Sequence, residues 1–442
     1  MPDIDPMSQE TLERLRAGKL AGARRLDLSA GLTRFPAEIF DLADTLEVLN
    51  LSGNRLQDLP ADLGRLHRLR ILFCSDNDFD HLPESVGDCP ALEMVGFKAN
   101  RIARVPAQAL PARLRWLILT DNAIGDLPPA LGERPALQKL MLAGNRLKAL
   151  PDSLGQAHRL ELLRLSANEF SCLPPWLTRL PRLSWLALSG NPLPWHRPSP
   201  APLPVVAWSA LTMGDRLGGG ASGDIYRVRC ADGPMAGDEL ALKLFKGAVT
   251  SDGLPQDELT ACLCAGEHPA LTTPVAVLGG HPQGVQEGLL MPLLPQGYVN
   301  LAGPPSMDSC TRDVYPEGWV IGSGPVRQLL SDMASALAQL HDRGIMHGDF
   351  YGHNILWQPA TGQARLGDFG AASLLPQDEP ALVRSLLALD VRAFGCLMEE
   401  MIERCRDADP SWLAQMASLR DACLADNPDH RPAMADVAAW LR

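Results

Sequence analysis

The sequence predicts an α/β solenoid of short repeats followed by a separate α+β domain. Three observations carry this expectation. Asparagines at 54, 77, 100, 122, 145, 168 and 191 recur at intervals of 22 or 23 residues, and a fixed period of this length marks stacked units that cannot bury their apolar faces alone. The period stops at PLPWHRPSPAPLP, residues 192–204, where prolines remove backbone donors and favour extended chain. Beyond it, a glycine-rich turn, a strand-like run and a long amphipathic helix follow with no repeat at all.

Each repeat has the same internal order. Leu46, Leu49 and Leu51 precede Asn54, then come Leu56, Leu59-Pro60, Leu63 and Leu66. Leu-Pro or Val-Pro pairs return at 82–83, 105–106, 127–128, 150–151 and 173–174. A degenerate first unit begins at Leu26, with Gly31 in the asparagine position, which gives about eight units over 23–194. This pattern resembles the leucine-rich repeats, which implies one short parallel strand per unit. The asparagine amide is suited to bonding backbone groups where the chain leaves each strand, so its recurrence reads as structural. Leu12, Leu15 and Leu20 have helical spacing, and residues 1–22 are expected to cap the first unit.

Side chains alternate along a strand, and the positions between the buried leucines form one strip: Phe73, Met94, Trp116, Ile118, Met141, Leu162 and Trp185, with Lys98, Lys139 and Arg164 among them. A strip this apolar reads as a concave face for a protein substrate or scaffold, with the two tryptophans as anchors. The competing reading is that the C-terminal half covers it.

The C-terminal half, 208–442 after a linker at 195–207, carries its own chemistry. Leu217-Gly218-Gly219-Gly220-Ala221-Ser222-Gly223-Asp224-Ile225 contains G-x-G-x-x-G. The next element is strand-like, Leu240-Ala241-Leu242-Lys243, where a dinucleotide-binding turn would open a helix. Val326, Leu329, Leu330, Met333, Leu337 and Leu340 then mark an amphipathic helix ending near Gly344. It leads into His347-Gly348-Asp349-Phe350-Tyr351-Gly352-His353-Asn354, followed by Asp368-Phe369-Gly370.

This order resembles the protein kinases, and the whole chain is similar to a leucine-rich repeat solenoid followed by an α+β bilobal protein-kinase-like domain. The resemblance implies an ATP- and Mg2+-dependent transfer of phosphate to a protein hydroxyl, on serine or threonine. Lys243 would carry the charge for the α- and β-phosphates, with Glu258 its partner; Asp257 competes for that role and Glu267 fits it less well. Asp349 would orient the attacking hydroxyl, and Asn354 and Asp368 would ligate magnesium. Leu217, Gly218, Gly220 and Gly223 would cover the phosphates, Ile225, Ala241 and Leu356 would sandwich the adenine, and Met291 and Leu293 would supply the hinge. His347 reads as packing with one hydrogen bond.

Three positions depart from the family. Gly348 replaces the usual arginine, Tyr351 replaces the usual lysine, and few residues separate Gly370 from Asp390, which resembles the start of a buried helix. Glu379-Pro380 would be the remnant of Ala-Pro-Glu, paired with Arg431. These departures keep open a nucleotide-binding pseudokinase scaffold. His-Gly-Asp with a distal asparagine is also similar to small-molecule hydroxyl kinases.

Charge narrows the partners. Residues 1–204 hold 24 basic and 23 acidic side chains, and residues 205–442 hold 16 and 29. An acidic second half repels nucleic acid and anionic membrane. The N-terminus lacks the basic-then-apolar order of a signal peptide, and the ten scattered cysteines read as buried thiols, so a cytoplasmic protein is expected.

Overall fold

The computed structural model describes residues 6–195, 202–219, 223–233, 235–246, 250, 252–282 and 288–442. Two compact units result. The first comprises Met1–Leu180 with Asn191–Leu193, and the second Pro181–Gly190 with Pro194–Arg442. The chain therefore changes units three times near the end of the repeats, and residues 196–201 of the expected linker lie outside the described residues.

In the first unit, helix α1 (Pro6–Arg16) buries Leu12 and Leu15, and the Ser8 hydroxyl accepts the Ser29 amide of the first repeat at 3.3 Å. The helix ends before Leu20, which the spacing places with Leu12 and Leu15 but which lies in the turn that follows. Seven three-residue strands follow: β1 (Arg25–Asp27), β2 (Val48–Asn50), β3 (Ile71–Phe73), β4 (Met94–Gly96), β5 (Trp116–Ile118), β6 (Lys139–Met141) and β7 (Leu162–Arg164). All pair parallel and in step, Leu49 beside Leu72 beside Val95 beside Leu117, so the leucine pattern sets the register directly. Short 3-10 turns such as Glu84–Asp88 and Asp152–Gln156 return the chain, each starting just after one of the Leu-Pro pairs. Proline lacks an amide hydrogen, which no bond is waiting for at a helix start.

The asparagine ladder explains the period. Asn145 Nδ2 donates to Leu142 O in its own repeat and to Leu119 O in the preceding one, both at 2.9 Å, while its Oδ1 accepts the Ile124 amide at 3.0 Å. Asn54, Asn77, Asn122 and Asn168 repeat this arrangement. The residue before each asparagine is left-handed, whether glycine (Gly53, Gly144) or not (Asp76 φ 53°, Ala99 φ 52°, Asp121 φ 57°, Ala167 φ 53°). For Ala99 and Ala167 this costs roughly 1–2 kcal/mol, which the amide bonds offset.

The second unit begins with β8 (Trp185–Ala187) and β9 (Val205–Ala207). Four antiparallel strands form most of its sheet: β10 (Leu211–Gly219), β11 (Gly223–Cys230), β12 (Glu239–Phe245) and, after β13 (Ala276–Gly279), β14 (Gly288–Pro292). The order is β10-β11-β12-β14-β13-β9, and β9 joins β13 in parallel. Val206, Val228, Leu240, Leu242, Leu244, Ala276 and Leu290 fill one face. Helix α2 (Pro255–Ala265) lies between β12 and β13 in the chain. The helical part is built on α3 (Ser323–Asp342), whose buried stripe is Val326, Leu329, Leu330, Met333, Leu337 and Leu340 as the spacing predicts. Helices α4 (Pro380–Arg404), α5 (Pro410–Cys423) and α6 (Met434–Leu441) complete it. Among the described residues no helix is long and apolar enough to cross a membrane.

Two expectations need correction here. Trp185 is 1% exposed and belongs to the second unit, and Met94 is 4% exposed, in register between Ile71 and Trp116. Neither is an available anchor. Phe73, Trp116, Ile118 and Met141 remain half-buried, and the Lys139 ammonium sits 4.0 Å from the Trp116 ring centroid. Of the cysteines, Cys172 is exposed and Cys264 and Cys405 are half-buried; the other seven are buried.

The ladder makes a quantitative expectation. Asn145→Ala leaves the buried Ile124 amide without its acceptor and takes one of two side-chain donors from each of the Leu119 and Leu142 carbonyls, and should lower unfolding free energy by about 1–3 kcal/mol, measured by denaturant titration. A loss within the scatter of surface variants would contradict a structural role.

Candidate active site

Lys243 lies on β12, in register with Ile225 on β11 and Leu289 on β14. Strand alternation aims it at α2, where Glu258 lies in the first turn. Lys243 Nζ and Glu258 Oε1 are 2.5 Å apart, and both side chains are buried. This settles the choice of partner in favour of Glu258 over Asp257 and Glu267. The ammonium also reaches Asp368 Oδ1 at 3.3 Å. Burial works against its charge, but the two carboxylates outweigh that and hold the lysine protonated beyond its usual range. Burial likewise opposes ionisation of Asp368, and Lys243 overcomes it, so the aspartate stays below the ordinary carboxylate range.

Asp368 adopts φ 53°. A non-glycine residue in the left-handed region stores strain that its surroundings must hold, and here the Gly370 amide donates to Asp368 Oδ1 at 3.3 Å while Phe369 is buried beside His347. His347 is fully buried, as expected, but its ring makes two hydrogen bonds and not one: Nε2 lies 3.1 Å from Gly367 O, and Nδ1 accepts the Asp349 amide at 3.3 Å.

The loop at 347–354 is held from below by Asp390 in α4. Its carboxylate accepts the His347 amide at 2.7 Å and the Gly348 amide at 3.0 Å. Six residues beyond Gly348, Asn354 Nδ2 donates to Asp349 Oδ2 at 2.7 Å and to Asp349 O at 2.9 Å. With its nitrogen so used, Oδ1 is the side-chain atom of Asn354 left to act as an acceptor or ligand. The Gly367 amide bonds Asn354 O at 3.0 Å, which ties the Asp349–Asn354 pair to the Lys243–Glu258–Asp368 cluster. All five polar residues singled out in the sequence therefore converge.

The remaining candidates take the following places. Gly218 pairs with Ile225 at the end of the β10–β11 hairpin, and Leu217 is 45% exposed beside it. Gly223 is buried, and a Cβ there would lie 2.5 Å from Leu244 O, so the close strand approach requires glycine. Gly220 falls outside the described residues. Ala241 and Met291 are register partners, Leu293 follows β14, and Leu356 is half-buried on the strand Ile355–Trp357.

The departures have structural causes. At Gly348 φ is +70°, and a Cβ would stand 2.3 Å from Leu186 O and 2.9 Å from Ala371 O. Tyr351 is 5% exposed, its ring stacked on Trp185 with centroids 4.2 Å apart and planes 7° from parallel. Between Gly370 and α4 only residues 371–379 intervene. The Glu379–Arg431 pairing is not formed: Glu379 is exposed, and the Arg431 guanidinium donates to Ala425 O, Ala388 O and Pro181 O at 2.9 Å each. Burial, then the nearby Arg392, lowers the Arg431 pKa to about 10.

Sequence reasoning missed the support under the loop's far end. His353 Nδ1 lies 2.6 Å from Asp313 Oδ1, and its amide donates to Asp313 Oδ2 at 3.1 Å. Forty residues separate the two with no periodic signal between them. Tyr315, two residues further on, donates to Glu400 at 2.8 Å, a carboxyl that burial pushes up to about 7.

Comparisons with known proteins find similarity in both parts of the chain. Residues 211–388 match the protein kinase domain, and residues 44–84, 112–170 and 135–193 match leucine-rich repeats. Among curated proteins, the serine/threonine-protein kinase Kist of Homo sapiens and of Pongo abelii is 31% identical over 165 residues, 35% of this chain and 36% of theirs. Glycogen synthase kinase 1 of Pyricularia oryzae is 30% identical over 94 residues, 17% of this chain and 24% of its own length. The chain thus spans at most about a third of these relatives. A leucine-rich-repeat protein of Leptospira interrogans is 27% identical, with a TM-score of 0.34, over 41% of this chain and 52% of that one. The chain carries leucine-rich repeats followed by a protein kinase domain.

Two outcomes are expected. Gly348→Ala should destabilise the protein by roughly 1–3 kcal/mol from backbone strain alone, with the two carbonyl clashes adding to it; an unchanged unfolding midpoint would contradict the close approach. For His353, burial disfavours the imidazolium, but the Asp313 carboxylate outweighs it and raises the pKa. The stabilisation is therefore complete below the ordinary value of about 6.5 and is lost as pH rises through the raised value. Denaturant titrations across that window should show wild type losing stability relative to His353→Gln. Parallel profiles would show that the pair contributes nothing.

Proposed function

We propose that this protein transfers the γ-phosphate of ATP, with magnesium, to a serine or threonine hydroxyl of a protein that its repeats select. The observation carrying this reading is the convergence of Lys243, Glu258 and Asp368 with the Asp349–Asn354 pair. Oxygen donors from Asp368 and Asn354 suit a hard divalent cation, and the Lys243 ammonium, fixed by Glu258, suits a polyphosphate. Bound Mg·ATP supplies the transferable phosphoryl group and most of the charge neutralisation. Asp349, oriented by Asn354 and held on a loop anchored through Asp390, accepts a hydrogen bond from the incoming hydroxyl and aligns it. The choice of serine or threonine rests on the names of the relatives. The choice of a protein acceptor gains support from the repeats, where Phe73, Trp116, Ile118 and Met141 are half-buried.

Gly348 and the nine-residue segment after Gly370 favour one second reading, a nucleotide-binding scaffold without transfer. The two separate cleanly. Lys243→Met or Asp368→Asn should reduce phosphoryl transfer by about a hundredfold or more, since each removes a charge facing the developing transition state. Transfer of labelled phosphate to a generic protein substrate, with Mg·ATP binding measured independently, gives the answer. Wild-type rates in either variant would remove the assignment, and binding without transfer in wild type would establish the scaffold.

A further inference from the structure

The segment Pro181–Gly190 is remote in sequence from the loop at 347–354, yet the two pack within the same compact unit. Trp185 Nε1 donates to Phe350 O at 2.9 Å, its ring lies flat on Tyr351, and the Arg312 guanidinium carbon lies 5.4 Å from its ring centroid. Leu186 O lies so close to Gly348 that no larger residue fits there. Two arginines secure the start of the segment: Arg392 Nε donates to Pro181 O at 3.0 Å and the Arg431 guanidinium donates to the same oxygen at 2.9 Å.

Asp349 therefore sits between two residues, Gly348 and Phe350, that touch this one segment. Asp390 fixes the loop from the α4 side through the amides of His347 and Gly348. It does not reach Phe350 or Tyr351 through any bond described. On that flank the indole supplies the hydrogen bond to the Phe350 carbonyl and covers the face of Tyr351. A carboxylate that must meet a hydroxyl at hydrogen-bond distance loses rate steeply when its backbone can rotate.

We propose that Trp185 is a positioning residue for phosphoryl transfer: its indole locks the Phe350–Tyr351 side of the loop, so that β8 holds Asp349 in its working orientation. This rests on the kinase reading above. The role differs from simple packing in what it should affect, because Lys243, Glu258 and Asp368 lie outside the contact, and nucleotide affinity should not depend on it.

The test uses the full chain with Trp185→Phe, which keeps an aromatic face and loses the donor, and Trp185→Leu, which loses both. Steady-state transfer gives kcat and KM for ATP, direct titration gives the Kd of Mg·ATP, and amide hydrogen exchange reports on residues 347–354. Trp185→Leu should lose about tenfold or more in kcat, with Trp185→Phe falling between it and wild type, as expected for removing one or both fixing contacts. KM for ATP and Kd should stay within about twofold, a margin of less than half a kcal/mol, and exchange over 349–353 should quicken in the same order. Full kcat in both variants, equal losses in kcat and nucleotide affinity, or unaltered exchange over the loop would overturn the proposal while leaving the kinase reading intact. A wild type that binds Mg·ATP and transfers nothing would overturn the kinase reading, and this role with it.

Discussion

The buried ion pair between Lys243 and Glu258 is the interaction on which the kinase domain depends. Neither side chain has the water that ordinarily solvates its charge, and breaking such a pair from one side costs roughly 3–5 kcal/mol. The pair thus forces β12 and α2 to hold one relative placement, and that placement brings the ammonium within reach of Asp368. Asp368 in turn stands in a left-handed conformation that the chain would not adopt unaided. The Lys243 ammonium holds the cluster together: it offsets the burial of Asp368, whereas Glu258, which burial and then the neighbouring Asp368 charge work against, is still pushed up to about 7.

Much of this was legible in the sequence, for a physical reason that also marks its limit. The asparagine ladder could be read because each amide serves its own repeat and the one before, so the requirement recurs at the repeat period. The five polar residues of the site could be named because the motifs that carry them, and with them the resemblance to the protein kinases, each lie on one local element: a strand carrying Lys243, a helix carrying Glu258, a turn carrying Asp349 and Asn354, and a turn carrying Asp368. Where a contact joins distant parts of the chain without a period, the sequence offered nothing. Asp313 under His353 is one such case. Arg431 is another: its guanidinium fork found three backbone carbonyls, and no pattern distinguishes an arginine that pairs with a carboxylate from one that caps carbonyls.

Trp185 shows the same limit from the other side. Period-two alternation assigns a side chain to a face of its strand, and that assignment says nothing about what covers the face. Tryptophan suits both outcomes, because its indole combines a large apolar surface with one donor that needs a partner when buried. Phe350 O is that partner here. Gly348 and Tyr351, which look like separate departures when read along the chain, become parts of one contact: the glycine admits the Leu186 carbonyl, and the tyrosine ring receives the indole.

Mass spectrometry of the purified protein after incubation with ATP and magnesium tests whether this arrangement performs phosphoryl transfer. Phosphate should be added on serine or threonine, either on the protein itself or on an added protein substrate, and none should be added when Asp349 is replaced by Asn. Nucleotide bound at the site with every hydroxyl left unmodified would contradict it.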